Sequence, residues 1–219
     1  MKSSKPLLVL LFRHEETVNP EGRLYGQEDV PLSEKGRRRT EKLVERLASL
    51  SVCAVYGSDL SRSAYGAQRL AELTGAPLRL TPALREIDFG AWTGRTLTEL
   101  LQIPEFRRRL SHPEALAPPG GETLEQLAHR ALGVLSEIRR DFPSGLVVVF
   151  GHGGLNRALL CRLFEIPLQR FFSLEQRPGA ANLLVFYPET PPLLALFNAP
   201  PNLDFSSYLD YYEMEGRNP

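Results

Sequence analysis

Residues 7–16 read LLVLLFRHEE, and the fold of the chain depends on this stretch. Its six leading apolar residues have the length of a strand and predict a strand covered on both faces, as in a parallel sheet. The apolar run stops at Arg13 and His14, which would stand at the carboxyl end of that strand. Because ligands of parallel α/β sheets bind beyond the carboxyl ends of the strands, this pair is a first candidate for chemistry.

Strand-like and helical segments alternate along the rest of the chain. Ser33 and Gly75 are the expected caps of two helices, and Thr123 with Gln126 forms a capping-box pattern before a third. This alternation predicts an α/β fold, a three-layer α/β/α sandwich with a mostly parallel central sheet. The predicted strands are residues 7–12, 51–58, 146–150, 181–187 and 192–198, the last two forming a pair at a sheet edge, and the predicted helices are residues 34–49, 61–74, 123–140 and 153–164.

Composition limits the classes of protein to consider. The chain has 219 residues, 42% hydrophobic and 24% charged, which is typical of a globular protein. We expect a single domain over 1–219, with a core over about residues 6–198 and a tail over about residues 199–219. The tyrosine-rich tail is expected to pack on the body or to be disordered, with partner docking as the alternative. The 26 basic and 26 acidic residues balance, so no nucleic-acid partner is expected.

Two features bear on the cellular compartment. Cys53 and Cys161 form no CxxC pair and lie on a predicted strand and a predicted helix, so we expect buried, unreactive thiols in a reducing environment. The apolar run at 7–12 is too short for a signal peptide, and no other run approaches the length of a membrane span. A cytoplasmic protein with no membrane partner is the expectation.

The ends of two predicted strands carry histidines. His152 follows the strand at 146–150, as His14 follows the first strand, so a sheet that pairs these strands would bring the two histidines together. A neutral imidazole is a competent nucleophile near neutral pH and can form a phosphohistidine. Phosphoryl transfer also needs cationic groups around the phosphorus, which Arg13 and Arg62, in the first turn of the 61–74 helix, could provide.

The remaining role is that of a proton donor to the leaving oxygen. Glu86 is the candidate, because it lies in an irregular segment before aromatic residues whose packing could raise its pKa by burial; Asp88 stands close by. The sequence contains no HExxH pattern and no Walker-type GxxxxGK[ST] loop. We therefore expect activity without a metal or another cofactor.

Five segments, taken in order, resemble the histidine phosphatase superfamily, which includes cofactor-dependent phosphoglycerate mutases and α-ribazole phosphatases. The segments are RHEETVNPEGR, SDLSRSAYGA, LREIDFGAWTG, PGGET and GHGGLNR. The resemblance covers most of the chain and implies the α/β fold of that superfamily. It also implies a role for each matching residue: His14 as the phosphorylated nucleophile, Glu86 as the proton donor, Arg13, Arg62 and His152 as the phosphate cradle, and Asn19, Tyr25, Gly26 and Gly153 on the substrate side.

The chain departs from the superfamily pattern at three positions. Glu15 stands where glycine usually follows the nucleophile, Asn19 comes one residue early, and Tyr25 replaces a common glutamine. A glutamate cannot adopt every backbone conformation open to glycine. The carboxylate of Glu15 must therefore point away from a bound phosphate or carry its own arginine partner.

The length of the segment 97–122 helps to distinguish a phosphatase from a phosphoglycerate mutase. The segment is short compared with the corresponding segment of phosphoglycerate mutases, which favours a phosphatase acting on a small phosphorylated metabolite, with α-ribazole phosphate as one candidate. A mutase and a catalytically weak phospholigand-binding protein are the alternatives, and a homodimer is also considered. Arg107–Arg109 within this segment are expected on a solvated helix face, with contact to a second anionic group of the substrate as the alternative.

Overall fold

The structure is a computed structural model that describes residues 5–213. Its elements alternate between strands and helices through most of the chain. The strands are β1 (Leu7–Arg13), β2 (Val52–Gly57), β3 (Leu78–Leu80), β4 (Gly145–Gly151), β5 (Ala181–Phe186) and β6 (Leu193–Ala199). The helices are α1 (Glu34–Leu47), α2 (Ser61–Thr74), α3 (Leu97–Leu100), α4 (Pro104–Ser111), α5 (Leu124–Asp141), α6 (Gly153–Leu163) and α7 (Ser206–Glu213).

The strands form one sheet in the order β3-β2-β4-β1-β5-β6. β1, β2, β3 and β4 pair in parallel, and β5 is antiparallel to both of its neighbours. The predicted pairing of the last two strands is therefore confirmed: β5 pairs with β6, which lies at the edge of the sheet, and β5 is also hydrogen-bonded to β1. The central position of β1 beside β4 decides where the chemistry lies, because the carboxyl ends of these two strands meet at one rim.

The alternating side chains of β1 enter two separate cores. Leu7, Val9 and Leu11 pack with apolar residues of α5 and α6, whereas Leu8, Leu10 and Phe12 pack with α1, α2 and α7. Both sets are almost fully buried, which explains why the sequence shows a continuous apolar run rather than an alternation. Helices thus cover both faces of the sheet, as the predicted three-layer α/β/α sandwich requires.

The expected helix caps are present. Ser33 accepts a hydrogen bond from the backbone N–H of Gly36, and Thr123 and Gln126 form a reciprocal capping box before α5. Gly75 ends α2 in the left-handed conformation, with φ 72°. These signals fix the amino-terminal ends of α1 and α5 and the carboxyl-terminal end of α2.

The described part of the tail packs on the body. Phe205 and Leu209 are buried in the core that contains Phe12, and the Phe12 and Phe205 rings meet edge to face at 5.7 Å. This agrees with the packed form of the tail that the sequence predicts; residues 214–219 lie outside the described residues. Within residues 5–213, no helix is both long and apolar enough to pass through a membrane.

Two predictions about individual side chains are wrong. Cys53 is exposed rather than buried, because it lies where the β2–β4 register shifts between Val52 and Ala54; Cys161 is buried as expected. Arg107 and Arg108 are exposed as predicted, but Arg109 is only 4% exposed.

The burial of Arg109 follows from the geometry of α4. Position 109 lies one turn beyond the buried Phe106 on the same helix face. The guanidinium stacks over Trp92 and donates to the carbonyl of Leu116, and burial lowers its pKa to about 10. Arg109 therefore belongs to a small packed cluster and not to a solvated face.

The sequence prediction also missed β3, α3 and α7, and it gave no bounds for the helix that carries Arg107–Arg109, which is α4. β3 has three residues, two of them exposed, so no apolar run marks it. Its pairing with β2 rather than its composition makes it a strand.

Candidate active site

The parallel pairing of β1 with β4 brings the two predicted histidines together. Arg13 is opposite Gly151 in the register, and the backbone N–H of His14 donates to the carbonyl of Gly151 over 3.1 Å. The His14 and His152 rings meet edge to face, with centroids 5.1 Å apart and planes inclined by 66°. The histidines therefore form one site at the carboxyl rim of the sheet.

Both imidazoles are held neutral. His14 is 6% exposed and His152 is fully buried. Burial, followed by the charges of Arg13 and Arg62, lowers the pKa of His14 from 6.5 to about 3, and the carbonyl of Glu15 opposes that shift. Burial, together with His14 and nearby arginines, lowers the pKa of His152 well below its usual value. A neutral ring keeps a free electron pair, which a nucleophile requires.

The hydrogen bond of His14 fixes its tautomer. Its Nδ1 lies 2.7 Å from the carbonyl oxygen of Glu15, and a carbonyl can only accept. Nδ1 therefore carries the proton, and the electron pair resides on Nε2. This is the arrangement in which one ring nitrogen orients the ring and the other can attack.

Four buried nitrogen atoms around the histidines have no hydrogen-bond partner within residues 5–213. They are Nδ1 and Nε2 of His152, Nε of Arg13 and Nε of Arg62. Buried polar groups are normally paired, so such a cluster of nitrogens indicates a site that binds an anion. An oxyanion placed between the two guanidinium groups would accept hydrogen bonds from them.

Both arginines are fixed by main-chain acceptors. Arg13 donates through Nη1 to the carbonyl of Gln176 and packs against Gly153, where a Cβ would come within 3.2 Å of its Nε. Arg62 is 1% exposed and donates through Nη1 to Glu28 and through Nη2 to Gly26. Rigid guanidinium groups need no reorganisation when charge develops on a phosphoryl group.

Glu86 reaches the site from the segment after β3. Its carboxylate accepts hydrogen bonds from the backbone N–H groups of Gly154 at 2.9 Å, Leu155 at 3.0 Å and Ile87 at 2.9 Å. The first two belong to the first turn of α6, directly after His152. The expected aromatic packing is therefore not the main contact of this carboxylate, which is held by main-chain N–H groups instead.

Three of the four predicted substrate-side residues, Asn19, Tyr25 and Gly26, lie on the loop between β1 and α1, and the fourth, Gly153, begins α6. The Tyr25 ring lies against the Arg62 guanidinium at 4.9 Å, its hydroxyl is 2.6 Å from Oγ1 of Thr17, and Gly26 supplies the carbonyl that holds Arg62. Asn19 uses its amide within the loop, donating to the carbonyl of Arg23 and accepting from its N–H, both at 2.9 Å. Asn19 thus shapes the loop, whereas Tyr25 and Gly26 contact the arginine itself.

The carboxylate of Glu15 lies away from the histidines. It is 3% exposed, beside Gly179, and its Oε2 is 3.7 Å from Nη1 of Arg39. It lines a cavity of about 350 Å³ together with Arg39, Lys42, Arg46, Pro178, Pro201 and Asn202, none of which holds the histidines or Arg62. Burial raises the pKa of this carboxyl. Both conditions expected for a glutamate at this position, a different direction and an arginine partner, are met.

Sequence reasoning missed a buried amide network behind Arg13. Gln176 and Asn182 exchange hydrogen bonds at 3.0 and 2.8 Å, and Asn156 donates to Gln176 at 3.3 Å. This network places the Gln176 carbonyl that binds Arg13. The only advance signal was the position of Asn156 inside the GHGGLNR segment.

A second missed pair is Glu122 and Arg130. Nε and Nη2 of Arg130 donate to the two carboxylate oxygens of Glu122 at 2.7 and 2.9 Å. Glu122 stands in the PGGET segment, which is one of the five that resemble the superfamily pattern. Nothing in the sequence connected Arg130 with Glu122. Within residues 5–213, no three His, Cys, Asp or Glu side chains are grouped to hold a metal ion.

Comparison with known proteins agrees with this geometry. The pattern of the histidine phosphatase superfamily (branch 1) matches residues 9–199. The chain therefore belongs to the histidine phosphatase superfamily. It is a phosphomonoesterase of the histidine phosphatase type, which makes it a hydrolase.

The relatives carry several functional names. Phosphoserine phosphatase 1 of Hydrogenobacter thermophilus is 33% identical over 168 residues, which are 75% of this chain and 80% of that protein. "Probable phosphoglycerate mutase GpmB" of Cronobacter sakazakii is 33% identical over 165 residues, 74% of this chain and 76% of that protein. The structure of mycobacterial glucosyl-3-phosphoglycerate phosphatase superposes with a TM-score of 0.81 at 27% identity, covering 89% of this chain and all of that one.

Proposed function

We propose that the chain hydrolyses a small phosphorylated metabolite without a metal ion, through a phosphohistidine on His14. The observation that carries the proposal is a group of buried nitrogens on His152, Arg13 and Arg62 that have no hydrogen-bond partner among residues 5–213 and that surround a neutral His14. Such a group fits the oxygens of a phosphoryl group whose phosphorus faces Nε2 of His14.

In the first step Nε2 of His14 attacks phosphorus. The N–P bond forms as the bond between phosphorus and the ester oxygen breaks, and the electron pair of that bond goes to the leaving oxygen. Glu86, in its protonated form, gives its proton to this oxygen, so that an alcohol departs rather than an alkoxide. Arg13 and Arg62 stabilise the negative charge on the equatorial oxygens.

In the second step water hydrolyses the phosphohistidine. Glu86, now a carboxylate, takes a proton from the attacking water, the N–P bond breaks, and its electron pair returns to Nε2. Inorganic phosphate leaves, and both residues are restored. The hydrogen bond from Nδ1 of His14 to Glu15 keeps the ring in place through both steps.

The same residues account for the proposed metal independence. Two arginines aimed at the phosphate provide the charge stabilisation that a metal ion supplies in other phosphoryl-transfer sites, and they would repel a cation. Full activity in EDTA supports this part of the proposal, and loss that added metal restores contradicts it.

The natural substrate is proposed only as a class. α-Ribazole phosphate is the candidate from the sequence, and the names of the relatives add phosphoserine and glucosyl-3-phosphoglycerate. A mutase is the second candidate, because a relative named as a phosphoglycerate mutase is as similar as the phosphoserine phosphatase. The weak-binding alternative rested on Glu15 beside the nucleophile. The carboxylate of Glu15 lies beside Arg39 and Gly179, so its position does not favour that alternative.

The test is hydrolysis of p-nitrophenyl phosphate in EDTA by the wild type and by His14→Ala. Turnover that disappears in the variant supports the proposal, whereas unchanged turnover in the variant rejects it. Interconversion of phosphoglycerates that requires a bisphosphate primer, at a rate above phosphate release, would favour the mutase.

A further inference from the structure

Arg130 of α5 binds the main chain on which Glu86 stands. Its Nη1 donates to the carbonyls of Ala83 at 2.9 Å and Arg85 at 2.6 Å, and its Nη2 donates to the carbonyl of Glu86 at 2.9 Å. Three carbonyls within four residues therefore converge on one guanidinium. A planar fork with five N–H donors can bind them together, which a lysine ammonium cannot do in the same geometry.

Glu122 holds the other side of the same segment. Besides its two hydrogen bonds from Arg130, its Oε2 accepts from the N–H of Asp88 at 3.3 Å, and its own N–H donates to the carbonyl of Asp88 at 3.0 Å. Gly121 packs so closely on Asp88 that a Cβ there would come within 2.5 Å of the Asp88 carbonyl oxygen. Hydrogen bonds thus fix the main chain both before Glu86, through Arg130, and after it, through Glu122.

We infer that the Arg130–Glu122 ion pair is a positioning device for Glu86, which aligns its carboxyl with the oxygen that leaves phosphorus. The inference rests on the proposed function, because it assigns a purpose to a pair whose hydrogen bonds join its two members to each other and to the main chain around Glu86. Arg130 and Glu122 are mostly buried, with side chains 20% and 13% exposed, so water competes little for their hydrogen bonds. General-acid catalysis depends on such alignment, since the proton must be within hydrogen-bond reach of the leaving oxygen.

A series of aryl phosphates of similar size separates this role from a structural one. Phenyl, p-nitrophenyl and 2,4-dinitrophenyl phosphate place the same phosphoryl group on leaving groups that need protonation progressively less. We compare kcat/KM, which reports the steps up to the first irreversible one, for the wild type, Glu86→Gln, Arg130→Met and Arg130→Lys. Arg140→Met is the matched control, because Arg140 is an exposed arginine on the same helix that pairs with Asp141.

We expect both Arg130 variants to lose about 10–100-fold more kcat/KM on phenyl phosphate than on 2,4-dinitrophenyl phosphate, part of the roughly 10²–10⁴-fold that general-acid catalysis supplies. Glu86→Gln should show the same pattern more strongly, and Arg140→Met should match the wild type. Arg130→Lys keeps the positive charge, so it serves if Arg130→Met does not fold.

Three results would contradict the inference. An equal loss on all three substrates in the Arg130 variants, with Glu86→Gln still selective, means that Arg130 supports the fold only. Wild-type activity on none of the substrates, or activity that survives in His14→Ala, rejects the proposed function itself, and the inference fails with it.

Discussion

Oε1 of Glu15 occupies the space that a side chain on residue 179 would need, because a Cβ built on Gly179 would lie 2.2 Å from that oxygen. Gly179 also has φ 74°, a conformation that suits glycine. The glutamate that departs from the superfamily pattern is therefore accommodated by a glycine that is distant in sequence. The backbone N–H of Gly179 donates to the carbonyl of His14, which ties this contact to the nucleophile.

The first prediction concerns this contact. Gly179→Ala should destabilise the protein by about 1–3 kcal/mol through overpacking against Glu15. In a Glu15→Gly background the same change should cost less, with about 1–2 kcal/mol of backbone strain remaining. Urea unfolding of the wild type, the two single variants and the double variant gives the coupling free energy between residues 15 and 179. Equal costs in both backgrounds would show that Glu15 does not occupy this space.

Glu15→Gly alone tests the direction of the carboxylate. Since the carboxylate lies away from Arg13 and Arg62, and the main-chain carbonyl that accepts from Nδ1 of His14 remains, kcat/KM should stay within about 2-fold of the wild type. A large rise in activity would mean that Glu15 repels the phosphate of the substrate.

The second prediction concerns Gly154 beneath Glu86. A Cβ at residue 154 would lie 2.4 Å from Oε1 of Glu86, so Gly154→Ala should displace the carboxylate and lower kcat/KM on phenyl phosphate by about 10-fold or more. Gly133→Ala is the control, because a Cβ at this helical position meets no atom of the described part of the chain within 4 Å. That change should leave activity intact and stabilise α5 by about 0.5–1 kcal/mol. Unchanged activity in Gly154→Ala would contradict the role of the Glu86 carboxylate, at its position beside Gly154, in turnover.

These contacts show where sequence reasoning succeeds and where it stops. The apolar runs of β1 and β4 predicted two strands, because that signal is local. The polar residues at their ends predicted that His14 and His152 would meet if the two strands pair, and the pairing itself is a property of the fold. The partners of Arg130 and the accommodation of Glu15 depend on segments that only the fold brings together. Arg109 was misjudged for the same reason, since its burial depends on Trp92 and not on its arginine neighbours.

The third prediction follows from the neutral state of His152. An anion at the unpaired nitrogens would offset the burial and the arginine charges that lower its pKa, so binding should be accompanied by proton uptake. Sulfate is a suitable probe because it remains a dianion throughout the pH range of the experiment. Calorimetry in buffers of different ionisation enthalpy should detect the uptake, and sulfate affinity should rise as the pH falls from about 7 to 5. Affinity that does not change with pH would contradict the site. His152→Gln should remove most of the effect.

The fourth prediction concerns stability in acid. The pKa of His14 is about 3 in the folded protein and near 6.5 when exposed, so below pH 6.5 the unfolded chain binds a proton that the folded chain does not. The stability that depends on neutral His14 is complete above pH 6.5 and is lost as the pH falls toward 3, with a slope of up to about 1.4 kcal/mol per pH unit. His152 is also held neutral and adds to the slope of the wild type, so the contribution of His14 is the difference between the wild type and His14→Gln in urea unfolding from pH 7 to 4. The slope should be flatter in His14→Gln but unchanged in His129→Gln, which alters an exposed histidine. Equal slopes in the wild type and His14→Gln would contradict the neutral buried state.

The central claim is that His14 carries the phosphoryl group during turnover. The most direct measurement is a rapid quench of the wild type with p-nitrophenyl phosphate into alkali, where phosphohistidine survives, followed by peptide mass spectrometry. We expect a phosphoryl group on the imidazole of His14 that forms and decays at rates consistent with turnover. His14→Ala should carry none. Turnover with the phosphoryl group on another residue, or with none on His14 at any time, would contradict the account.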